Sequence, residues 1–431
     1  MTSTTVRSVG AHEPGADTSR AYRQISAVLA VGTLVVLGAQ IHVQYTITAG
    51  SILALVLAPL WISALPLYRS ARLFVGAGLV VLLSGLWLSE LTKADHVVAT
   101  QYVISDAAIL VGLILTACVV MWARTVVPLW TVGLSYGLGL AAGLFLNGGP
   151  SDVNVWKFGY ALPVIVLVLS AVAALRRRRA VEIVVLLLLA VFSALNDSRS
   201  LFAELGLTAT LVIWQLIPRG RTLKVGIART LVAFAAAMLA AYNVGTSLLI
   251  DGYLGAEAQT RTVQQIDESG SVILGGRPEI AGSTALLEAR PWGYGLGVKP
   301  SLADIATAKA GMQSINYEPN NGYVEKYMFG TTFELHSVTA DLWAAYGIPG
   351  LAFAGLLLFF LVRWLAIALA QREAPALTIF LSILSMWNLF FSPLYTSAVT
   401  LAFAIGITML RRGAGGAHSP LPERGGYRTL S

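Results

Sequence analysis

Apolar runs of about 17 to 22 residues recur along almost the whole chain, and that recurrence constrains its fold more than any other feature. Coiled as a helix, such a run crosses the roughly 30 Å hydrocarbon core of a bilayer. Only 12% of the 431 residues are charged and 56% are hydrophobic. A soluble domain carries roughly 25% charged residues and cannot hide so many long apolar runs. The runs predict twelve spans, at about 25–41, 47–67, 73–91, 102–122, 127–146, 157–175, 181–195, 200–218, 230–250, 339–362, 375–391 and 394–410. The expected fold is an all-α polytopic membrane protein. No small-residue cleavage site follows the first run, so it reads as a retained helix.

The formal charge of +7 is explained by where the basic residues lie rather than by an acidic partner. Basic residues flank cytoplasmic ends of spans. With the N-terminus cytoplasmic, the even-numbered connections and the two termini hold about 20 of the 29 basic residues. They include Arg69, Arg72, Arg124, the run Arg176 to Arg179, and Arg372. About 17 of the 22 acidic residues fall on the other side. Both termini are therefore expected in the cytoplasm, and nothing calls for nucleic acid. The single cysteine, Cys118, lies inside an apolar run, which leaves no intrachain disulfide and no cysteine-based metal site.

Residues 251–338 break the pattern: they are too polar for a span and too long for a simple connection. They are expected to form an extracytoplasmic, partly helical loop between spans nine and ten. Helices are predicted near Ala256–Glu268 and Ile280–Arg290, then a turn punctuated by Gly293, Gly295 and Gly297. A last helix near Phe333 is expected to run straight into span ten. The chain thus divides into a disordered N-terminus (1–24), spans one to nine (25–250), the loop (251–338), the last three spans (339–410) and a disordered tail (411–431). No internal repeat is visible.

Several polar residues stand where topology gives no reason for them. His336 lies where the loop enters the membrane, a setting for a general base near neutral pH or for an interfacial histidine bonded to local backbone. Arg199, in Asn196-Asp197-Ser198-Arg199-Ser200, is on the outer end of a hairpin, against the positive-inside trend. It is suited to bidentate phosphate binding, or to an ion pair with Asp197 or Glu204. Arg277 and Arg290 bracket the second loop helix, as ligands or as surface charges, and Arg261 has the same status. Asp106 and Glu204 sit inside spans, near their outer ends, where they are functional or reach water. Glu182 is expected to pair with the arginine run before it. No His-x-x-His, Asp-x-Asp, P-loop or dinucleotide motif is present.

Taken together, three segments resemble the O-antigen ligase and polymerase superfamily of bacterial envelope enzymes. They are Ser198-Arg199-Ser200 between two spans; Gly276-Arg277 followed by Arg290-Pro291-Trp292-Gly293-Tyr294-Gly295-Leu296-Gly297; and His336-Ser337 leading to Asp341 and Gly347-Ile348-Pro349-Gly350. Ser337 departs from the family, which often has Asn there. The resemblance covers about residues 180–365. It implies a GT-C-type glycosyltransferase of the bacterial cytoplasmic membrane that needs no metal or other cofactor. Such an enzyme moves a glycan from a polyprenyl-diphosphate carrier to a hydroxyl of a glycan, lipid or protein acceptor. In that role His336 is the catalytic base, and Arg199, Arg277 and Arg290 hold the diphosphate. Two related classes fit less well. The first outer connection, Ile41 to Thr46, has no carboxylate for a monophosphosugar transferase. Asp267 and Asp304 have no motif around them to serve a peptidoglycan polymerase. The alternative from another class is a transporter or flippase for a lipid-linked glycan, which calls for broken helices and charges near mid-bilayer.

Overall fold

The computed structural model describes residues 14–150, 153–175, 179–216, scattered positions within 232–252, and residues 255–269 and 276–412. The chain is mostly helical. Among the described residues, six helices are long and apolar enough to cross a membrane, or seven if one bent pair counts as a single span. Most of expected span nine and of the two terminal segments lies outside the described residues.

The helices are α1 (Pro14–Ala39), α2 (Ala49–Val56), α3 (Ala58–Ala64), α4 (Ala71–Thr92), α5 (Thr100–Val126), α6 (Leu129–Leu146), α7 (Ala161–Ala174), α8 (Arg179–Leu195) and α9 (Arg199–Trp214). In the loop are α10 (Ala256–Ser269), α11 (Glu279–Ala289) and α12 (Leu302–Gln313). The last three are α13 (Val338–Gln371), α14 (Ala376–Phe391) and α15 (Leu394–Thr408). A short hairpin, β1 (His42–Gln44) with β2 (Ile47–Thr48), joins α1 to α2.

Four expectations need correction. Helix α1 begins at Pro14, inside the segment read as disordered; proline suits a first helical position. Expected span two is broken, with 71° between Ala49–Val56 and Ala58–Leu67. Pro59 starts the second half and cannot supply the N–H that would continue the first. Helix α12 was hidden in a stretch that reads as merely polar; Ser301 and Asp304 close it with a reciprocal capping box. No helix runs from Phe333 into span ten. Residues 331–337 are irregular and α13 starts at Val338, capped by the Ser337 hydroxyl.

In lipid, helix association rests on close packing rather than on hydrophobic transfer. The α1–α6 contact is built that way. A Cβ on Gly38 would meet the Tyr136 carbonyl at 2.4 Å, and one on Gly139 the Val35 carbonyl at 2.2 Å. Outside the bundle, the loop has a second, smaller core that includes Leu286, Tyr294, Met312, Val324, Met328 and Leu335.

A break in α13 ties the two cores together. Gly347 has φ 70° and ψ −153°, and Pro349 follows it. The break leaves helix carbonyls without their usual donors. The glycine stretch fills them: Tyr294 and Gly295 both donate N–H to the Ala344 carbonyl, at 2.8 and 3.0 Å. The Ser84 hydroxyl donates to Tyr346 at 3.0 Å, and the Trp343 indole to Pro291 at 3.0 Å. Gly293, Gly295 and Gly297 all have positive φ. At Gly295 a Cβ would lie 2.4 Å from the Ser89 nitrogen, and at Gly297 2.4 Å from that of Val103. Only glycine can thread this passage between α4, α5 and α13.

The two ends of the bundle differ. One carries the loop. At the other, Arg124 donates to the Gly406 and Met409 carbonyls at the end of α15, Tyr68 bridges Arg411, and Arg179 bonds Glu182 and the Ala374 carbonyl. The Arg179–Glu182 contact, at 2.7 Å, is the ion pair expected from the arginine run.

Candidate active site

His336 is held on both sides by bonds that its own side chain does not make. Before it, Leu335 donates its N–H to Asp341 at 2.7 Å; after it, the Ser337 hydroxyl donates to the Leu389 carbonyl at 2.9 Å. The second Asp341 oxygen accepts from Leu394 N–H at 2.7 Å, so this one buried carboxylate joins loop, α13 and α15. Between these anchors His336 takes φ 55°. Left-handed backbone is uncommon outside glycine and costs on the order of 1–3 kcal/mol; such strain concentrates at functional sites.

The imidazole is half-buried, with Nδ1 3.0 Å from the Glu334 carbonyl. A carbonyl can only accept, so in the neutral ring Nδ1 carries the proton and Nε2 keeps its lone pair. Among the described residues, Nε2 has no hydrogen-bond partner. The Tyr323 ring lies 5.8 Å away, and its hydroxyl donates to Glu279 at the start of α11. Burial, with Glu279 beside it, holds the Tyr323 phenol well above its ordinary value, while Arg277 acts in the opposite direction. Tyr323 therefore stays neutral, a fixed hydrogen-bond donor linking the histidine to α11.

Arg277 reaches this group from the segment before α11, its guanidinium 6.0 Å from the Phe391 ring centre. Lys157, in the π-turn Trp156–Tyr160 that opens α7, is close enough to feel its charge. The charges that act on the Lys157 ammonium are Arg277, Asp197, Arg199 and Glu204. Arg199 is the first residue of α9 and reaches Thr262 of α10 at 3.5 Å. The start of α7 is docked on the end of α8 by Asn154, which donates to the Asn196 carbonyl at 2.9 Å, and by Trp156, which donates to Ser193 at 3.1 Å. Three cations from three elements thus converge. Among the described residues, none has an ion-pair partner within bonding distance. One Glu204 oxygen is buried in the same region without a hydrogen-bond partner.

The other expected ligands go elsewhere. Arg290 bonds Asp95 at 2.6 Å, Thr92 at 3.0 Å and the Gly293 carbonyl at 3.0 Å, with its guanidinium over Tyr294. Arg290 holds Asp95 below the usual carboxylate range, and His96 adds to this. His96 bridges Asp95 and Asp304 at 2.9 and 2.8 Å. Arg290 is thus a clamp fixing the loop to the end of α4. Asp106 accepts the Gly297 N–H at 2.8 Å and anchors the glycine stretch. The Arg261 side chain lies outside the described residues.

The structure therefore brings His336, Arg277 and Arg199 to one end of the bundle and separates Arg290 from them. It adds Lys157, Tyr323 and Glu279. Lys157 had a readable signal, a lysine at a helix end that the expected topology places outside, against the positive-inside trend, the same as that of Arg199. Nothing in the sequence marks Tyr323 or Glu279. No group of three or more His, Cys, Asp or Glu among the described residues is placed to hold a metal ion. Set against protein-family models, curated proteins and solved structures, the chain matches none of them.

Proposed function

We propose that this protein is a glycosyltransferase of the bacterial cytoplasmic membrane, with about twelve spans, both termini in the cytoplasm and the loop on the outer face. It transfers a glycan from a polyprenyl-diphosphate carrier to an acceptor hydroxyl. The observation that carries the reading is made among the described residues: a histidine whose Nε2 has no hydrogen-bond partner, near three cations that make no ion pair within bonding distance. Like charges brought together in a partly dry site repel unless an anion joins them. A diphosphate is such an anion.

The step balances on these residues. The acceptor oxygen forms a bond to the anomeric carbon while that carbon's bond to the diphosphate oxygen breaks. His336 Nε2 takes the hydroxyl proton as the oxygen attacks. Arg277, Arg199 and Lys157 meet the negative charge that grows on the departing polyprenyl diphosphate, as preorganised cations do. That is work a divalent metal does in other transferases, so activity is expected to survive a chelator.

The test is a deletion strain carrying wild type or His336→Ala, with carrier-linked glycans and the mature envelope polymer profiled by mass spectrometry. His336→Ala is expected to leave outward-facing carrier-linked glycan unconsumed, with transfer reduced ~10²–10⁴-fold. Single repeat units would mark a polymerase and finished chains a ligase. Full complementation by His336→Ala sinks the assignment. Accumulation only on the cytoplasmic face would instead mark a flippase.

A further inference from the structure

Two residues before His336, the chain enters the wall of a cavity of about 200 Å³, bounded by α5, residues 331–334, the start of α13 and the start of α15. At ~30 Å³ per water it holds roughly seven waters, the scale of a single sugar ring. Its walls offer aromatic rings from Tyr102, Phe333 and Tyr395, hydroxyls from Thr331 and Thr332, and the Glu334 carboxylate. That mixture suits a sugar, whose C–H faces lie on rings while its hydroxyls need acceptors. Phe333 is fixed by stacking on Tyr294, ring centres 4.0 Å apart.

The charges in the wall set the ligand's class. Among the described residues, no Lys, Arg or His lines the cavity, whereas Asp106, Glu334 and Asp341 do. Asp341 is used at both oxygens, and Asp106 is bonded to Gly297. The Glu334 carboxylate has no donor among the described residues. Burial pushes its carboxyl above the ordinary range, and the nearby His336 opposes that. A free acceptor is therefore held half-dry beside the proposed base, among carboxyl groups and with no cation in the lining, while the Lys299 ammonium lies outside it, 5.8 Å from the Tyr102 ring centre. The cation cluster around Arg277 lies outside this lining, which gives the donor's diphosphate and a second ligand different electrostatic addresses.

We propose that this cavity is the acceptor subsite and takes one uncharged or amino-bearing pyranose, its hydroxyls bonded to Glu334 and its ring against Tyr102. The acceptor role rests on the transferase reading above; the binding of a sugar does not.

Binding can be read without turnover, by saturation-transfer NMR on the full chain in detergent with methyl glycosides of glucose, galactose, glucosamine and glucuronic acid. The neutral and amino glycosides are expected to bind, with the glucuronide at least ~10-fold weaker. Glu334→Gln and Tyr102→Ala should each weaken binding roughly tenfold, the scale of one hydrogen bond to a charged group. Trp292→Ala, outside the cavity, should leave it unchanged. Glu334→Gln is isosteric and guards against a folding defect in Tyr102→Ala. The site is ruled out if no glycoside binds, if the glucuronide binds as well as the glucoside, or if both cavity variants bind like wild type. Glycoside binding that follows the expected pattern while His336→Ala complements fully would keep the sugar site and remove the transferase reading.

Discussion

Asp341 shows how much a single buried side chain can hold together. Its two oxygens accept one N–H from the loop and one from the start of α15. Charge-assisted bonds of this kind are among the stronger ones in proteins. Asp341→Asn keeps the shape, but its amide nitrogen must face one of the two donors. The substitution is expected to cost about 1–3 kcal/mol, read as a lower melting temperature in detergent, together with reduced transfer because the His336 anchor loosens. An unchanged melting temperature would show that the carboxylate does not hold these segments. The sequence pointed to His336 and Arg199 because each is a polar residue where topology asks for none. It could not separate Arg277 from Arg290, since both are loop arginines beside the same helix. Only their partners differ: Asp95 pairs with Arg290, and among the described residues no carboxylate pairs with Arg277.

At the scale of elements, the stretch from Gly293 to Gly297 is an extended strand of loop buried among three helices, and it works only because α13 is broken at Gly347. Its alternating glycines were legible as a turn. That they form a plug was not, because the carbonyls they satisfy belong to a helix break some fifty residues away along the chain. Gly295→Ala and Gly297→Ala each force a Cβ to within 2.4 Å of a backbone nitrogen and demand a positive φ from alanine. Each is expected to destabilise by at least ~1–3 kcal/mol. Gly355→Ala, in α13 with nothing within 4 Å of the added methyl, should be neutral or stabilise by up to ~1 kcal/mol. Thermal unfolding of the three variants side by side checks this, and equal losses in all three would refute the plug.

For the whole molecule, the separation of charge matters most. Residues Arg124, Arg179 and Arg411 gather at one end, and the loop, Lys157, Arg199 and Arg277 at the other. If the first end faces the cytoplasm, Trp292→Cys, at an exposed loop position, should react with a membrane-impermeant maleimide in intact spheroplasts. Arg412→Cys should react only after lysis. The native Cys118 is buried and adds little background. Labelling of Arg412→Cys from outside, with none at position 292, would invert the topology and remove the outer-face assignment.

The sequence alone determined that the chain is a helical membrane protein, because long apolar helices are a property of local composition. It also supports an expectation about orientation, with the loop on the outer face, because topology follows charge counts between spans. It marked His336 and Arg199 by their misfit with that pattern, and pointed to Arg277 only through the family resemblance. Only the tertiary structure decided that span two is bent, that Arg290 is a clamp, and that Lys157, Tyr323 and Glu279 join the site. Those outcomes depend on which groups from distant segments meet, and hydrogen-bond and ion-pair partners across the fold are not encoded in local periodicity.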